Sequence, residues 1–148
     1  MGIDKLVFVG SLLVTGFLTG LIWFVQIVHY PLFARVDKAG FGRYHALHSS
    51  ATTSVVVAPM LAELALSFLL LRFRPAGFPP ALAWAGLALT IVVWLATFFV
   101  SVPLHRLLTS GGHDPDVIGR LVRTNWIRTI AWSARLAILA YGLFRLLP

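Results

Sequence analysis

The chain has 148 residues, 59% of them hydrophobic and 11% charged. Soluble domains carry about 25% charged residues, so no soluble domain fits beside the apolar segments, and residues 1–148 read as one membrane-embedded domain. The formal charge of +7 lies at segment ends, where topology and anionic headgroups place Lys and Arg, which excludes nucleic acid as its cause. Cysteine is absent, which excludes disulfides, a thiol nucleophile and thiolate metal ligands.

A helix needs about 20 apolar residues to cross roughly 30 Å of hydrocarbon. The first run, Leu6–Val28, has 23 residues, longer than the roughly 7–15 of a signal peptide's apolar region. It ends in Gln26-Ile27-Val28-His29-Tyr30-Pro31 without a small-residue cleavage site, so it reads as a retained helix closed by Pro31. Within it, Gly16-x-x-x-Gly20 is a small-xxx-small motif flanked by Thr15 and Thr19. That motif permits close helix approach, inside the chain or between copies of a homo-oligomer. The second helix is expected to begin near Phe41 or Gly42, ahead of its apolar part at about residues 53–71. Pro59 inside it should kink it and free a carbonyl near position 55. Arg72-Phe73-Arg74-Pro75 to Pro79-Pro80 makes a tight connection, and proline at a first turn costs the next helix nothing. The third span covers 81–102, with Pro103 ending or kinking it. Ser110-Gly111-Gly112-His113-Asp114-Pro115 is a loop by composition. Asp114 there caps a helix that starts at Pro115 and runs into the fourth span, 126–146. The expected fold is all-α: an integral membrane, up-down-up-down four-helix bundle in contact with the lipid bilayer. Seven Lys and Arg flank one side and four the other, which places the 1–2 and 3–4 loops in the cytoplasm.

Each helix carries one polar stripe at steps of three and four residues, hence on one face. The stripes are Thr15, Thr19, Gln26 and His29; His45, His48, Thr52, Pro59 and Glu63; Thr90, Trp94, Thr97, Ser101 and His105; and Asn125, Arg128, Trp132 and Arg135. Such faces turn away from lipid, which implies a polar interior. The topology gathers Gln26, His29, Tyr30, His45, His48, Ser101, His105, Asn125 and Arg128 at one mouth of the bundle. The opposite helix ends hold no histidine. Deeper lie Glu63 and Arg135, within about one turn of each other in depth. An unpaired charge there costs several kcal/mol, so an ion pair is expected, either fixing helices 2 and 4 or anchoring a ligand.

Three classes of function fit these residues. A metal or haem site would use His45-x-x-His48 on adjacent turns, completed by His29 and His105, because neutral imidazole suits Zn, Cu, Fe and haem. A pocket for a small lipophilic molecule, such as a quinone or polyketide-like aromatic, would have Trp94, Trp132 and the hydroxyls as walls. An enzyme built on it would use a histidine as acid–base, with Arg128 or Asn125 steadying an oxyanion. A non-catalytic subunit of a larger membrane complex fits the small size and short loops.

Gly20-Leu21-Ile22-Trp23-Phe24 followed by Tyr30-Pro31-Leu32-Phe33 resembles the first helix of small four-helix membrane proteins related to anthrone oxygenases. Asn125-Trp126-Ile127-Arg128-Thr129 and Trp132-x-x-Arg135 resemble the fourth helix of bacterial members of similar architecture. The resemblance implies a multi-pass protein of a bacterial inner membrane with a lipophilic aromatic pocket. Its oxygenase members are cofactor-independent enzymes acting on aromatic polyketides. Tyr44-His45 and His48 have no counterpart in that pattern, so the resemblance carries the fold and assigns no catalytic residue.

Overall fold

The computed structural model describes residues 2–146. Four long apolar helices follow one another: α1 Ile3–Arg35, α2 Phe41–Arg72, α3 Pro80–Gly111 and α4 Pro115–Leu146. Each is long and apolar enough to cross a membrane, and no strand occurs among the described residues. They pack as a ring in which α1 touches α2 and α4, and α3 touches α2 and α4. This is an all-α, four-helix membrane bundle. Leu13, Phe17, Leu47, Leu61, Phe99, Ile130 and Phe144 stand exposed on its outside. Exposed apolar side chains on four helices of this length are what a membrane-spanning bundle presents to lipid.

The three connections are short and capped by local chemistry. Asp37 accepts from the Ala39 N–H at 3.1 Å in the first. In the third, Gly112 takes φ +79°, a region closed to most side chains, and turns the chain sharply after α3. Asp114 Oδ1 then accepts from the Asp116 and Val117 N–H groups at 2.9 and 3.2 Å, the expected N-cap of α4.

Pro31 does not close the first helix as expected, and of the two outcomes expected at Pro103, an end or a kink, the end does not occur. Helices α1 and α3 both continue. Each passes its proline through a five-residue π-turn, Val25–His29 and Thr97–Ser101. A proline has no N–H to donate, and its ring crowds the carbonyl four residues back. Widening the preceding turn relieves that crowding. The Tyr30 N–H reaches Val25 O and the Val102 N–H reaches Thr97 O, five residues back in each case. Pro59, by contrast, lies inside α2 with no break in the helix.

Two cores divide the bundle. The larger surrounds Leu18, Ile22, Tyr30, Phe33, Phe41, Met60, Leu108, Leu121 and Trp132. The smaller, at the opposite end, joins Val7, Phe8, Leu70, Phe78, Ala83 and Leu139. Phe78, from the connection between α2 and α3, packs edge-on against Phe8 at 5.3 Å between ring centres. A Cβ at Gly142 would collide with the Phe78 ring, so this glycine is what lets the aromatic plug seat.

Candidate functional site

The polar stripes form two separate networks. The deep one is compact, with one donor, Arg135 Nη2, left without a hydrogen-bond partner. Arg135 Nε lies 3.2 Å from Glu63 Oε1, and both side chains are 1% exposed. The same oxygen accepts from the Thr15 hydroxyl at 2.8 Å, while Glu63 Oε2 accepts from the Trp132 indole at 2.9 Å. Arg135 Nε also donates to Thr15 Oγ1 at 3.1 Å. Helix α3 contributes an absence: a Cβ at Gly86 would stand 2.8 Å from Arg135 Nη1. Three helices, α1, α2 and α4, thus meet at one carboxylate, α3 makes room for the guanidinium, and the expected Glu63–Arg135 pair is present. Neither residue lines any of the three cavities described below.

The second network occupies the mouth. Asn125 Nδ2 donates to Gln26 Oε1 at 2.8 Å, and Gln26 Nε2 donates to Val122 O at 3.1 Å. Arg128 Nη2 donates to Asn125 Oδ1 and, at 3.2 Å, to the Tyr30 hydroxyl. That hydroxyl lies 2.8 Å from His105 Nε2, whose other nitrogen is 3.0 Å from His45 Nε2. His45 Nδ1 is in turn 3.0 Å from the Thr109 hydroxyl. A second branch joins His29 Nε2 to His48 Nδ1 at 2.8 Å and Thr52 to the same nitrogen at 3.1 Å.

A guanidinium can only donate, and the Thr109 hydroxyl at the other end spends its proton on His105 O, so with neutral imidazoles the first chain runs one way. The Tyr30 oxygen accepts from Arg128 and gives its own proton to His105 Nε2. His105 then carries its proton on Nδ1 and donates to His45 Nε2. His45 likewise carries its proton on Nδ1 and donates to Thr109. The Thr109 hydroxyl proton is spent on His105 O at 3.0 Å, which closes the sequence without conflict.

Three cavities surround the Thr52–Val56 part of α2. The largest, about 540 Å³, lies between α2 and α3 over a floor of Tyr30 and Arg128, with His48, Ser49, Thr52, Val56, Ser101 and His105 in its wall. A second, about 470 Å³, lies between α1 and α2 and is lined by Phe24, Val25, His29, Leu47, His48 and Val55. A third, about 50 Å³, lies in the interior, where Tyr30, Thr52, Val56, Arg128 and Trp132 meet. Three buried side-chain atoms at the mouth lack a hydrogen-bond partner, His48 Nε2, Ser49 Oγ and Arg128 Nε, and all three belong to residues lining the largest cavity. Ring nitrogens of His113 are also unpartnered, beside Phe41.

Most of the expected residues therefore converge. Gln26, His29, Tyr30, His45, His48, His105, Asn125 and Arg128 form the mouth, and Glu63, Trp132 and Arg135 the deep network. Trp94 joins neither: its indole N–H has no partner and its ring packs on Phe98 at 5.4 Å. The four histidines proposed as metal ligands come together, yet they spend ring nitrogens on each other and on hydroxyls. Among the described residues no group of three or more His, Cys, Asp or Glu side chains is arranged to hold a metal ion. Gly16 packs toward Leu136 of α4, whereas Gly20 has open space around it. Thr15, Thr109, Ser49 and Arg106 are participants that sequence reasoning did not place at a site. Thr109 had a signal, its i+4 spacing from His105; Ser49 and Arg106 lie off the stripes. Comparison with protein-family profiles, with curated proteins and with solved structures returns no match for this chain.

Proposed function

We propose that this membrane protein binds a small lipophilic molecule in the cavity between α2 and α3. The observation that carries this reading is a cavity of about 540 Å³ whose wall contains buried polar atoms with no partner inside the chain. Small-molecule sites occupy roughly 300–1,000 Å³ and combine apolar walls with a few convergent polar groups. A buried donor or acceptor left unpaired costs about 1–3 kcal/mol, and a bound molecule would recover that cost. The two π-turns support the same place. Such turns cluster at functional sites, and these two widen α1 and α3 beside the mouth. Oxidation of the bound molecule, which the anthrone-oxygenase resemblance implies, would find acid–base groups in His105 and His48 at the cavity wall. The basic-residue bias orients this mouth toward the cytoplasm.

The test is extraction of protein purified in a mild detergent, followed by mass spectrometry, metal analysis and an absorption spectrum. About one lipophilic molecule per chain is expected from the wild type and none from Thr53→Trp, which fills the cavity from its rim. A Soret band, or stoichiometric metal lost in His45→Ala or His48→Ala, would instead assign the mouth to a cofactor. Recovery of stable protein only together with partner chains would make it an accessory subunit. Either result overturns the pocket reading.

A further inference from the structure

We infer that the molecule held in the α2–α3 cavity carries an oxyanion, a carboxylate or a phosphate on a lipophilic body, and that Arg128 is its counter-ion. The inference rests on the pocket reading above and adds the ligand's charge. It starts from a charge census. Arg128 is 8% exposed, and its two hydrogen-bond acceptors, Asn125 Oδ1 and the Tyr30 hydroxyl, are both neutral. The one ion pair among the described residues is Glu63–Arg135, so Arg128 has no carboxylate partner.

The other acids are committed or distant. Glu63 has both oxygens occupied in the deep network. Asp4 lies in the first turn of α1, at the opposite end of the bundle. Asp37 is bound to its own connection. Asp114 caps α4, and Asp116, the nearer of the two along that helix, is twelve residues or about 18 Å away. A buried cation left without an anion is strongly destabilising. His105, His48 and Arg106 line the same cavity, and none of them supplies negative charge.

The geometry names the missing partner. Arg128 Nε is buried and unbonded, and the residue lines both the largest cavity and the interior one. A guanidinium presents donors in a planar fork that matches carboxylate and phosphate oxygens. Ser49 Oγ and His48 Nε2 are additional unpartnered atoms on the same wall. Beyond them the cavity is walled by Val56, Val102 and the methyl sides of Thr52, Thr53 and Thr97. These side chains suit an aliphatic body running along the seam between α2 and α3.

Matched probes test the charge separately from the pocket. Binding of palmitate and of methyl palmitate is measured by calorimetry on the detergent-solubilised full chain, wild type, Arg128→Gln, Arg128→Lys and, as a control away from the cavity, Arg120→Gln. Palmitate is expected to bind at least tenfold more tightly than its ester. Arg128→Gln should abolish that difference, Arg128→Lys should keep part of it, and Arg120→Gln should leave it intact. The wild-type comparison stands even if an Arg128 variant does not fold. Equal binding of acid and ester overturns the oxyanion and leaves the pocket intact. Binding of neither probe, with no molecule extracted from the wild type, overturns both. In nanodiscs, displacement of palmitate by phosphatidylglycerol but not phosphatidylcholine assigns the oxyanion to a lipid headgroup. Resistance to both assigns it to a free amphiphile.

Discussion

Glu63 and Arg135 are the costliest residues in this chain to keep, and their surroundings explain how they are kept. A charge near the centre of a membrane span is tolerated only when paired and hydrogen-bonded. Glu63 meets that condition with two hydrogen-bond donors, Thr15 and Trp132, and the charge of Arg135 beside it. Removing one partner strands the other, at about 3–5 kcal/mol, whereas exchanging both for apolar residues restores a neutral interior. Unfolding of Glu63→Leu, Arg135→Met and the double variant in detergent should therefore show strong coupling. The double variant is expected to lose at least about 2 kcal/mol less than the sum of the singles. Additive losses would contradict the pair. This contact was legible in the sequence, because the only acid within an apolar span needs a partner and Arg135 lies at matching depth. Thr15 was legible only as a member of a stripe. Its bond to Glu63 depends on the rotation of α1 against α2, which spacing alone does not set.

At the scale of the element, the π-turns determine which residues face the mouth. One extra residue in a turn rotates everything after it by about 100° relative to an uninterrupted α-helix. That rotation brings Tyr30 and His105 to 2.8 Å from one another. The sequence shows Pro31 and Pro103 plainly, and the ordinary rule is that a helix ends at or before such a residue. In a membrane the chain cannot leave its helix cheaply, because every freed backbone group lacks water, so the helix widens and continues. Pro103→Ala removes the reason for the second widening. Nitrogen-15 NMR of the wild type should show neutral His45 and His105 with the proton on Nδ1. In Pro103→Ala, His105 should turn from Tyr30, and a mixture of tautomers should replace the single one. An unchanged spectrum would mean that packing, and not the proline, holds the turn.

The whole molecule is asymmetric along its axis, and that asymmetry is open to direct measurement. One end is plugged by Phe78 against Phe8 and Gly142; the other holds the histidines and the largest cavity. The plugged connection carries Ala76 in an exposed position, and the mouth carries Ser110, also exposed. With no native cysteine in the sequence, Ala76→Cys and Ser110→Cys each place one reactive thiol on a known end. The counts of basic residues, seven on the mouth side against four on the plugged side, are the ground for expecting a cytoplasmic mouth. A membrane-impermeant maleimide should then label Ala76→Cys on intact cells and Ser110→Cys only in inverted vesicles. Labelling of Ser110→Cys should also slow when palmitate fills the cavity, since Ser110 belongs to its rim, while Ala76→Cys should be indifferent to it. The reverse pattern on cells would invert the topology and place the histidine mouth outside. A ligand would then reach Arg128 from the outer leaflet, although its contacts at the cavity wall would be the same.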